Sequence, residues 1–126
     1  MLASGLAVSA PLLAKSKRDK TPSFPGVVFT EKDQGKWDGK AGSHVPKVTV
    51  EGSKVTLLTE HGMSERHYIV RHTLVDQKGN MLGSKTFYPS DEQALSTFDL
   101  PAGFHGKLYA TSFCNKHDFW LKEFSV

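Results

Sequence analysis

Residues 47–126 consist of short apolar and β-branched runs separated by turn residues at intervals of about ten. No stretch in this region has the period of a convincing amphipathic helix. The runs predict seven strands, at residues 47–50, 54–59, 67–75, 81–88, 96–100, 107–113 and 119–126. Seven short strands predict an all-β fold, an immunoglobulin-like seven-stranded antiparallel β-sandwich in which each sheet buries one face. On the third strand, Tyr68, Val70 and Leu74 are expected to share that face.

The chain is long enough for one domain with a real core, since its 126 residues are 38% hydrophobic. No run approaches the roughly 18 apolar residues that span a membrane, so no membrane span is predicted. We expect residues 21–126 to form the domain. Its first part, residues 21–43, is rich in Pro, Gly, Lys and Asp and predicts an irregular lead-in to the first strand.

The N-terminal segment, residues 1–20, is apolar up to Ala14 and basic after it. Val8-Ser9-Ala10 resembles the small-residue site at the end of a secretion signal. We therefore interpret the segment as the remnant of an export signal, which favours an exported or periplasmic protein. No Lys or Arg precedes the apolar run, which leaves a cytoplasmic protein with an apolar tail as the alternative.

The net charge of +3 is concentrated near the N-terminus. Residues 1–46 carry seven Lys or Arg against four Asp or Glu, whereas residues 47–126 carry nine of each. The predicted strand region is therefore neutral, and a solvated basic tail explains the excess better than a nucleic-acid arm. No nucleic-acid partner is expected.

Four histidines and the single cysteine form the set that we interpret as one metal site: His44, His61, His67, Cys114 and His117. Donor atoms on one metal lie only a few ångström apart, so the chain must bend between His61 and His67, where Gly62 supplies turn geometry. Two residues separate Cys114 from His117, a spacing that one tight turn closes at little entropic cost. A single cysteine excludes both a CxxC redox pair and an internal disulfide.

Other classes of site compete with this interpretation. A blue-copper electron carrier is also a small β-sandwich, but it uses two histidines, one cysteine and an axial methionine, and no methionine follows His117. Structural zinc would leave one of the five ligands unused, and a metal-free binding module would leave the whole set unexplained. His72 and His105 are expected to lie outside the site, since His72 should point to the opposite face of its strand from His67.

Residues 37–120 resemble the iron domain of the superoxide reductase family, which includes neelaredoxin and desulfoferrodoxin. The resemblance rests on Trp37-Asp38-Gly39, His44-Val45-Pro46, EHGMSERHYI and KLYATSFCNKHDFW, which follow the family's order and spacing. It implies one mononuclear non-haem iron that cycles between Fe2+ and Fe3+. The implied ligands are four equatorial histidines and one axial thiolate, namely His44, His61, His67, His117 and Cys114.

The resemblance also implies an activity and partners. The expected enzyme takes superoxide as its substrate, reduces it by one electron to hydrogen peroxide, and is re-reduced by a rubredoxin-like or other small electron donor. An axial thiolate donates electron density to iron and favours such a transfer. With no second cysteine, the sequence resembles the one-iron form of the family. A non-catalytic iron-binding redox sensor keeps the same ligands and is the alternative function; assembly into a homo-oligomer stays open.

One departure from the family concerns the residues before the first histidine ligand. The family commonly places Glu-Lys there, and its lysine attracts superoxide, whereas this chain has Gly42-Ser43. Lys40 is the candidate for superoxide steering, since an apparent two-residue insertion between Gly39 and His44 can bring its ammonium over the site. Lys116, inside the chelating loop, is the second candidate cation.

Overall fold

The computed structural model describes residues 21–126, which form two β-sheets. Their strands are β1 (Val28–Phe29), β2 (Lys47–Glu51), β3 (Lys54–Thr59), β4 (Ile69–Asp76), β5 (Met81–Thr86), β6 (Ala94–Asp99), β7 (Lys107–Cys114) and β8 (Asp118–Ser125). One sheet has the order β1-β8-β7-β4-β5 and the other the order β2-β3-β6. The predicted all-β sandwich is confirmed, and each of the seven predicted strands is present within two residues of its predicted ends.

Strand β1 is the element that the sequence pattern does not predict. It pairs in parallel with β8, with Val28 opposite Phe119 and Phe29 opposite Trp120, whereas the other strand pairs are antiparallel. Two residues are too few to show a period of two. The expected irregular lead-in is therefore partly ordered, and it also contains a 3-10 helix, Gly35–Trp37, and a short helix α1, Ala41–His44.

The core between the sheets is built from strand residues that alternate in burial. On β3, Val55, Leu57 and Thr59 are buried, while the residues between them are partly or fully exposed. The largest buried cluster draws residues from both sheets: Val55, Leu57, Leu74, Leu100, Leu108 and Ala110. This apolar contact between the inner faces holds the two sheets together.

The buried face of β4 differs from the predicted one. Ile69 and Leu74 have no exposed surface, whereas Tyr68 and Val70 are half-buried. The prediction for Tyr68 and Val70 is wrong because the pairing of β4 with β7 shifts register between Ile69 and Arg71. Such a bulge inserts one extra residue and reverses the alternation before it. Leu74, beyond the bulge, lies inward as predicted.

A separate buried cluster joins the lead-in to β8. It contains Phe29, Val45 and Trp120, with Trp37 and Ala41 packed against it. The ring centroids of Phe29 and Trp120 are 5.5 Å apart. Because Ala41 begins α1 and Val45 directly follows it, these contacts hold the helix against the sandwich.

Residues 1–20, for which we predict an export signal, lie outside the described residues. Their role and the domain boundary at residue 21 therefore stay predictions. Within residues 21–126, no helix is both long and apolar enough to cross a membrane.

Candidate metal centre

His44 is the last residue of α1 and is 3% exposed. Val45 after it is extended, which is the conformation that Pro46 favours in its predecessor. The Nδ1–H of His44 donates a hydrogen bond to the backbone oxygen of Lys40 at 2.9 Å. Because a carbonyl oxygen only accepts, the proton must lie on Nδ1, and Nε2 carries the free lone pair.

His61 and His67 lie in the loop between β3 and β4. Ser64 and His67 exchange two backbone hydrogen bonds of 3.1 Å, which close a tight turn, and the His61 N–H donates to the Thr59 oxygen at 2.9 Å. The Nδ1–H of His61 donates to the oxygen of Gly62 at 2.5 Å, which leaves Nε2 free. The bend brings the Nε2 atoms of His61 and His67 to 3.1 Å from each other.

Cys114 ends β7, and His117 lies in the tight turn that leads into β8. Asp118, the first residue of β8, has a φ of 68° and is paired across the turn with Cys114. The side chain of Cys114 has no exposed surface and belongs to a buried apolar cluster with Ile69, Phe87 and Ala94. The turn therefore directs a shielded thiol and a half-buried imidazole toward the same place.

Asn115 ties the two ligand loops together. Its backbone N–H donates to the oxygen of Tyr68 at 3.2 Å, and its Oδ1 accepts from the N–H of Tyr68 at 3.0 Å. Its Nδ2–H donates to the oxygen of Arg66 at 3.0 Å. These bonds reach both neighbours of His67. The sequence pattern alone assigns Asn115 no role; an amide side chain between two candidate ligands is the only signal that points to it.

The five donor atoms converge at the end of the sandwich where β3, β4, β7 and β8 meet their loops, all within 4.8 Å of one another. Successive nitrogens in the order His61, His67, His117, His44 are each 3.1 Å apart. Nitrogens about 2.1 Å from one metal lie about 3.0 Å apart at right angles and about 3.4 Å apart in a tetrahedron. These three spacings are closer to the edge of a square than to that of a tetrahedron.

The cysteine sulfur lies close to two of these nitrogens. Cys114 Sγ is 3.8 Å from His61 Nε2 and 3.7 Å from His117 Nδ1. Both of these nitrogens are neighbours of the His67 nitrogen, so the sulfur is nearly equidistant from the two nitrogens that flank it. Four imidazole nitrogens and one thiolate are donors that could together hold one transition-metal ion.

Burial favours neutral imidazoles at this site. Desolvation lowers the pKa of His44 from 6.5 to about 4, although its hydrogen bond to Lys40 acts in the opposite direction. Desolvation also lowers the pKa of His67 and of His117, and nearby positive charges lower each further. Neutral imidazole is the form that binds a metal ion.

Two lysines contribute positive charge to the cluster. Burial is the largest cause of the lowered pKa of His67 and of His117. The positive charges of Lys40 and Lys116 lower both pKa values further. Lys40 is half-buried immediately before α1, whereas Lys116 is exposed in the chelating turn. Gly42 and Ser43, the two residues directly before His44, carry no charge.

The other described histidines lie outside the cluster. His72 has no exposed surface, and its ring nitrogens are 2.8 Å from Thr59 Oγ1 and 2.7 Å from Ser96 Oγ. His105 is exposed. Among the aromatic neighbours, Trp120 is fully buried and its ring centroid lies 5.5 Å from that of His44.

Fold and donor set together define a small β-sandwich protein with a cluster of four histidines and one cysteine that can hold a metal ion. The sequence model of the desulfoferrodoxin family matches residues 35–123, and the chain belongs to this family. A search of curated protein sequences gives no significant match.

Solved structures with this fold include three superoxide reductases. The neelaredoxin from Ignicoccus hospitalis is 27% identical, with a TM-score of 0.66 over 83% of this chain and 98% of that one. The enzyme from Treponema pallidum is 29% identical, with a TM-score of 0.56 over 68% of this chain and 69% of that one. The one-iron enzyme from Giardia intestinalis, 24% identical over 67% of this chain and 98% of that one, has a TM-score of 0.60 and supports the fold alone.

Proposed function

We propose that this protein is a superoxide reductase that holds one iron ion in its four-histidine, one-cysteine cluster. The observation that carries the proposal is the convergence of five donor atoms within 4.8 Å in a chain of the desulfoferrodoxin family. Two of the similar solved structures, at 27% and 29% identity, are named superoxide reductases. Support for iron comes from a set of five donors, which is one more than the four that structural zinc uses.

Each ligand has a defined part in this proposal. The iron would be held through Nε2 of His44, His61 and His67, Nδ1 of His117 and Sγ of Cys114. The chemistry that the iron supplies when bound is the one-electron reduction of superoxide to hydrogen peroxide, after which an external donor returns the electron. Hydrogen bonds from Nδ1 of His44 and His61 hold those rings in the tautomer that leaves Nε2 free.

The buried position of Cys114 suits a thiolate that would bind the metal ion. Ile69, Phe87 and Ala94 surround its side chain, so water does not compete for the sulfur lone pairs. The same burial protects the sulfur from oxidation by the peroxide product, because oxidation of cysteine depends on exposure of its thiolate. The protein thereby keeps the electron density of the sulfur for the metal.

Superoxide is an anion, so a positive field at the cluster would attract it. We assign this steering to Lys40, whose charge reaches both His67 and His117. Lys116 reaches the same two imidazoles, but it is exposed and its field is screened more by salt. Steering of this kind raises the rate of encounter without any contact with the reacting atoms.

Re-reduction requires an electron donor that reaches the iron from the surface. We assign this role to a rubredoxin-like or other small electron donor. Phe113 directly precedes the sulfur ligand and is 38% exposed. A donor that docks over Phe113 would contact the protein within one residue of Cys114, which makes this surface the expected entry point.

The first test combines metal analysis with optical spectroscopy of the wild-type protein and of Cys114→Ser. The expected result is one iron ion per chain and a visible thiolate-to-ferric band that Cys114→Ser lacks. His105→Ala is the matched control, because this exposed histidine lies outside the cluster and should leave metal content and spectrum unchanged. Copper, zinc or no metal in the wild-type protein would contradict the proposal.

The second test separates the enzyme from the non-catalytic sensor and from a dismutase. The reduced protein is mixed with superoxide, and hydrogen peroxide and dioxygen are both measured. A superoxide reductase gives one peroxide per superoxide and no dioxygen. An iron protein with the expected band that does not accelerate the loss of superoxide would instead be the sensor.

A further inference from the structure

Asp118 is the one non-glycine residue within positions 21–126 that has a positive φ, at 68°. This left-handed conformation is unfavourable for most side chains, although Asp tolerates it better than bulky residues. Asp118 follows His117 directly and is paired across the turn with Cys114. A strained backbone therefore lies next to two of the proposed iron ligands.

The carboxylate of Asp118 binds a residue from the other end of the described chain. Trp37 donates its indole Nε1–H to Asp118 Oδ2 at 2.8 Å, across 81 residues of sequence. Lys36 Nζ lies 3.7 Å from the same oxygen, but both of these side chains are substantially exposed, so that ion pair contributes little. The indole is thus the better-placed partner.

The Trp37 ring also contacts the imidazole of His117. Their ring centroids are 4.7 Å apart and their planes are inclined by 85°. Trp37 is itself packed against the buried cluster of Phe29, Val45 and Trp120. From the other side, the indole Nε1–H of Trp120 donates to the backbone oxygen of His117 at 2.8 Å.

The orientation of the His117 ring depends on contacts with neighbouring rings more than the orientations of the His44 and His61 rings do. Each of those two histidines has its outer ring nitrogen hydrogen-bonded to a backbone oxygen. The structure shows no such bond for Nε2 of His117 within residues 21–126. The Trp37 ring therefore limits the rotation of the His117 ring, together with the rings of His44 and His67, whose centroids lie 4.9 Å and 4.8 Å away.

We propose that Trp37 and Asp118 are a positioning pair for His117: the carboxylate fixes the indole, and the indole fixes the imidazole with Nδ1 directed at the other donors. The inference rests on the proposed function only in taking His117 as a metal ligand. It also gives a reason for an unfavourable φ at residue 118, since the strained turn aims the carboxylate at the indole.

The test titrates metal-free protein with Co²⁺, which gives visible bands that report thiolate and imidazole ligation. The variants are Trp37→Phe, Asp118→Gly, Asp118→Asn and the double variant Trp37→Phe/Asp118→Gly. Lys36→Met is the matched control, because it removes the ammonium that lies 3.7 Å from Asp118 Oδ2 and 5.0 Å from the centroid of the Trp37 ring, but keeps the hydrogen bond between Trp37 and Asp118. Thermal unfolding of each metal-free variant shows whether it folds.

Trp37→Phe and Asp118→Gly should each weaken Co²⁺ binding by about tenfold, the usual effect of losing a residue that orients a ligand. The double variant should bind no more weakly than either single variant, because both remove the same hydrogen bond. Asp118→Asn keeps an acceptor oxygen and tolerates the positive φ, so it should restore binding to within about twofold. Lys36→Met should bind like the wild-type protein.

Unchanged affinity in Trp37→Phe or Asp118→Gly, or additive losses in the double variant, would overturn the positioning role. A readout without metal is hydrogen exchange of the Trp37 indole N–H, which should be slow in the wild-type and Asp118→Asn proteins and fast in Asp118→Gly. Equal exchange rates in all three would also overturn it. These results do not depend on superoxide: a protein that passes them but lacks iron or reductase activity would refute only the proposed function.

Discussion

Two buried imidazoles, one at the metal centre and one in the core of the sandwich, have opposite surroundings. His44 is 3% exposed and His72 has no exposed surface, and burial lowers the pKa of each from 6.5 to about 4. At His72, both ring nitrogens face hydroxyl groups, those of Thr59 and Ser96. At His44, a backbone oxygen holds one nitrogen, and the other lies 3.1 Å from Nδ1 of His117.

Histidines are therefore buried in this protein for two different reasons. The hydroxyl of Ser112 extends the His72 network, at 2.8 Å from Thr59 Oγ1, so four strands from both sheets contribute to one chain of hydrogen bonds. Such a chain stabilises the fold and leaves no lone pair for a metal. Neither burial nor pKa distinguishes the two imidazoles. They differ in the partner of the second ring nitrogen, which is a hydroxyl at His72 and a nitrogen of another histidine at His44.

The largest effect is expected from His44→Ala at the metal centre. The variant lacks one of the four donor nitrogens of the cluster. It should therefore fail to retain iron or Co²⁺ through gel filtration, because the remaining donors bind the metal ion too weakly. Metal content per folded chain is the measurement. His105→Ala supplies the control, and a His44→Ala protein that keeps a full complement of metal would contradict the assignment of His44.

Removing the core imidazole should give the opposite pattern. His72→Ala leaves a cavity and removes the imidazole partner of the Ser96 hydroxyl and one of the two partners of the Thr59 hydroxyl. We therefore expect the free energy of unfolding to fall by about 4 kcal/mol. Urea unfolding of metal-free protein measures this change. Metal content per folded chain should stay at the wild-type level. Loss of metal from well-folded His72→Ala protein would contradict the assignment of His72 to the core rather than to the metal centre.

Acid should destabilise the metal-free protein through the same core residue. The folded pKa of His72, about 4, lies below its ordinary value of 6.5, and desolvation is the main cause, followed by the charge of Lys85. Below pH 6.5 the unfolded chain therefore binds a proton that the folded chain excludes. Stability is fully present above pH 6.5 and is lost as the pH falls toward 4, by about 3 kcal/mol from this group.

The measurement is urea unfolding at a series of pH values between 4 and 7, with His72→Gln as the comparison variant. Glutamine has no charge to gain, so the dependence on pH over this window should become shallower. An unchanged slope in His72→Gln would show that other groups cause the acid sensitivity.

The smallest effect is expected for the steering lysine. Lys40→Met should lower the second-order rate with superoxide by about threefold and weaken its dependence on salt, since only long-range attraction is lost. Stopped-flow or pulse-radiolysis kinetics measure both quantities. Lys54→Met makes the same change of charge at the opposite end of β3 and should leave the rate unaltered. Unchanged kinetics in Lys40→Met would remove Lys40 from the proposal, and a larger loss in Lys116→Met would transfer the role to Lys116.

The strands were predictable because their signals are local. Alternating burial, β-branched residues and turn residues lie within a few positions of one another, so all seven predicted strands are present in the fold. The inner face of β4 was not predictable near Tyr68 and Val70, because the bulge that reverses it arises from pairing with β7. Strand β1 was missed for a similar reason: two residues become a strand only where β8 lies beside them.

Three features can be read from the amino-acid sequence: the set of donors, the tight turn between Cys114 and His117, and the resemblance to an iron-binding family. The tertiary fold sets the geometry of the donors, since the nitrogens of His44 and His117 that lie 3.1 Å apart are separated by 73 residues. It also decided that His72 is enclosed by hydroxyls and that Trp37 reaches Asp118. Sequence periodicity reports the shape of a short segment, whereas the distance between remote side chains depends on how whole sheets pair and pack.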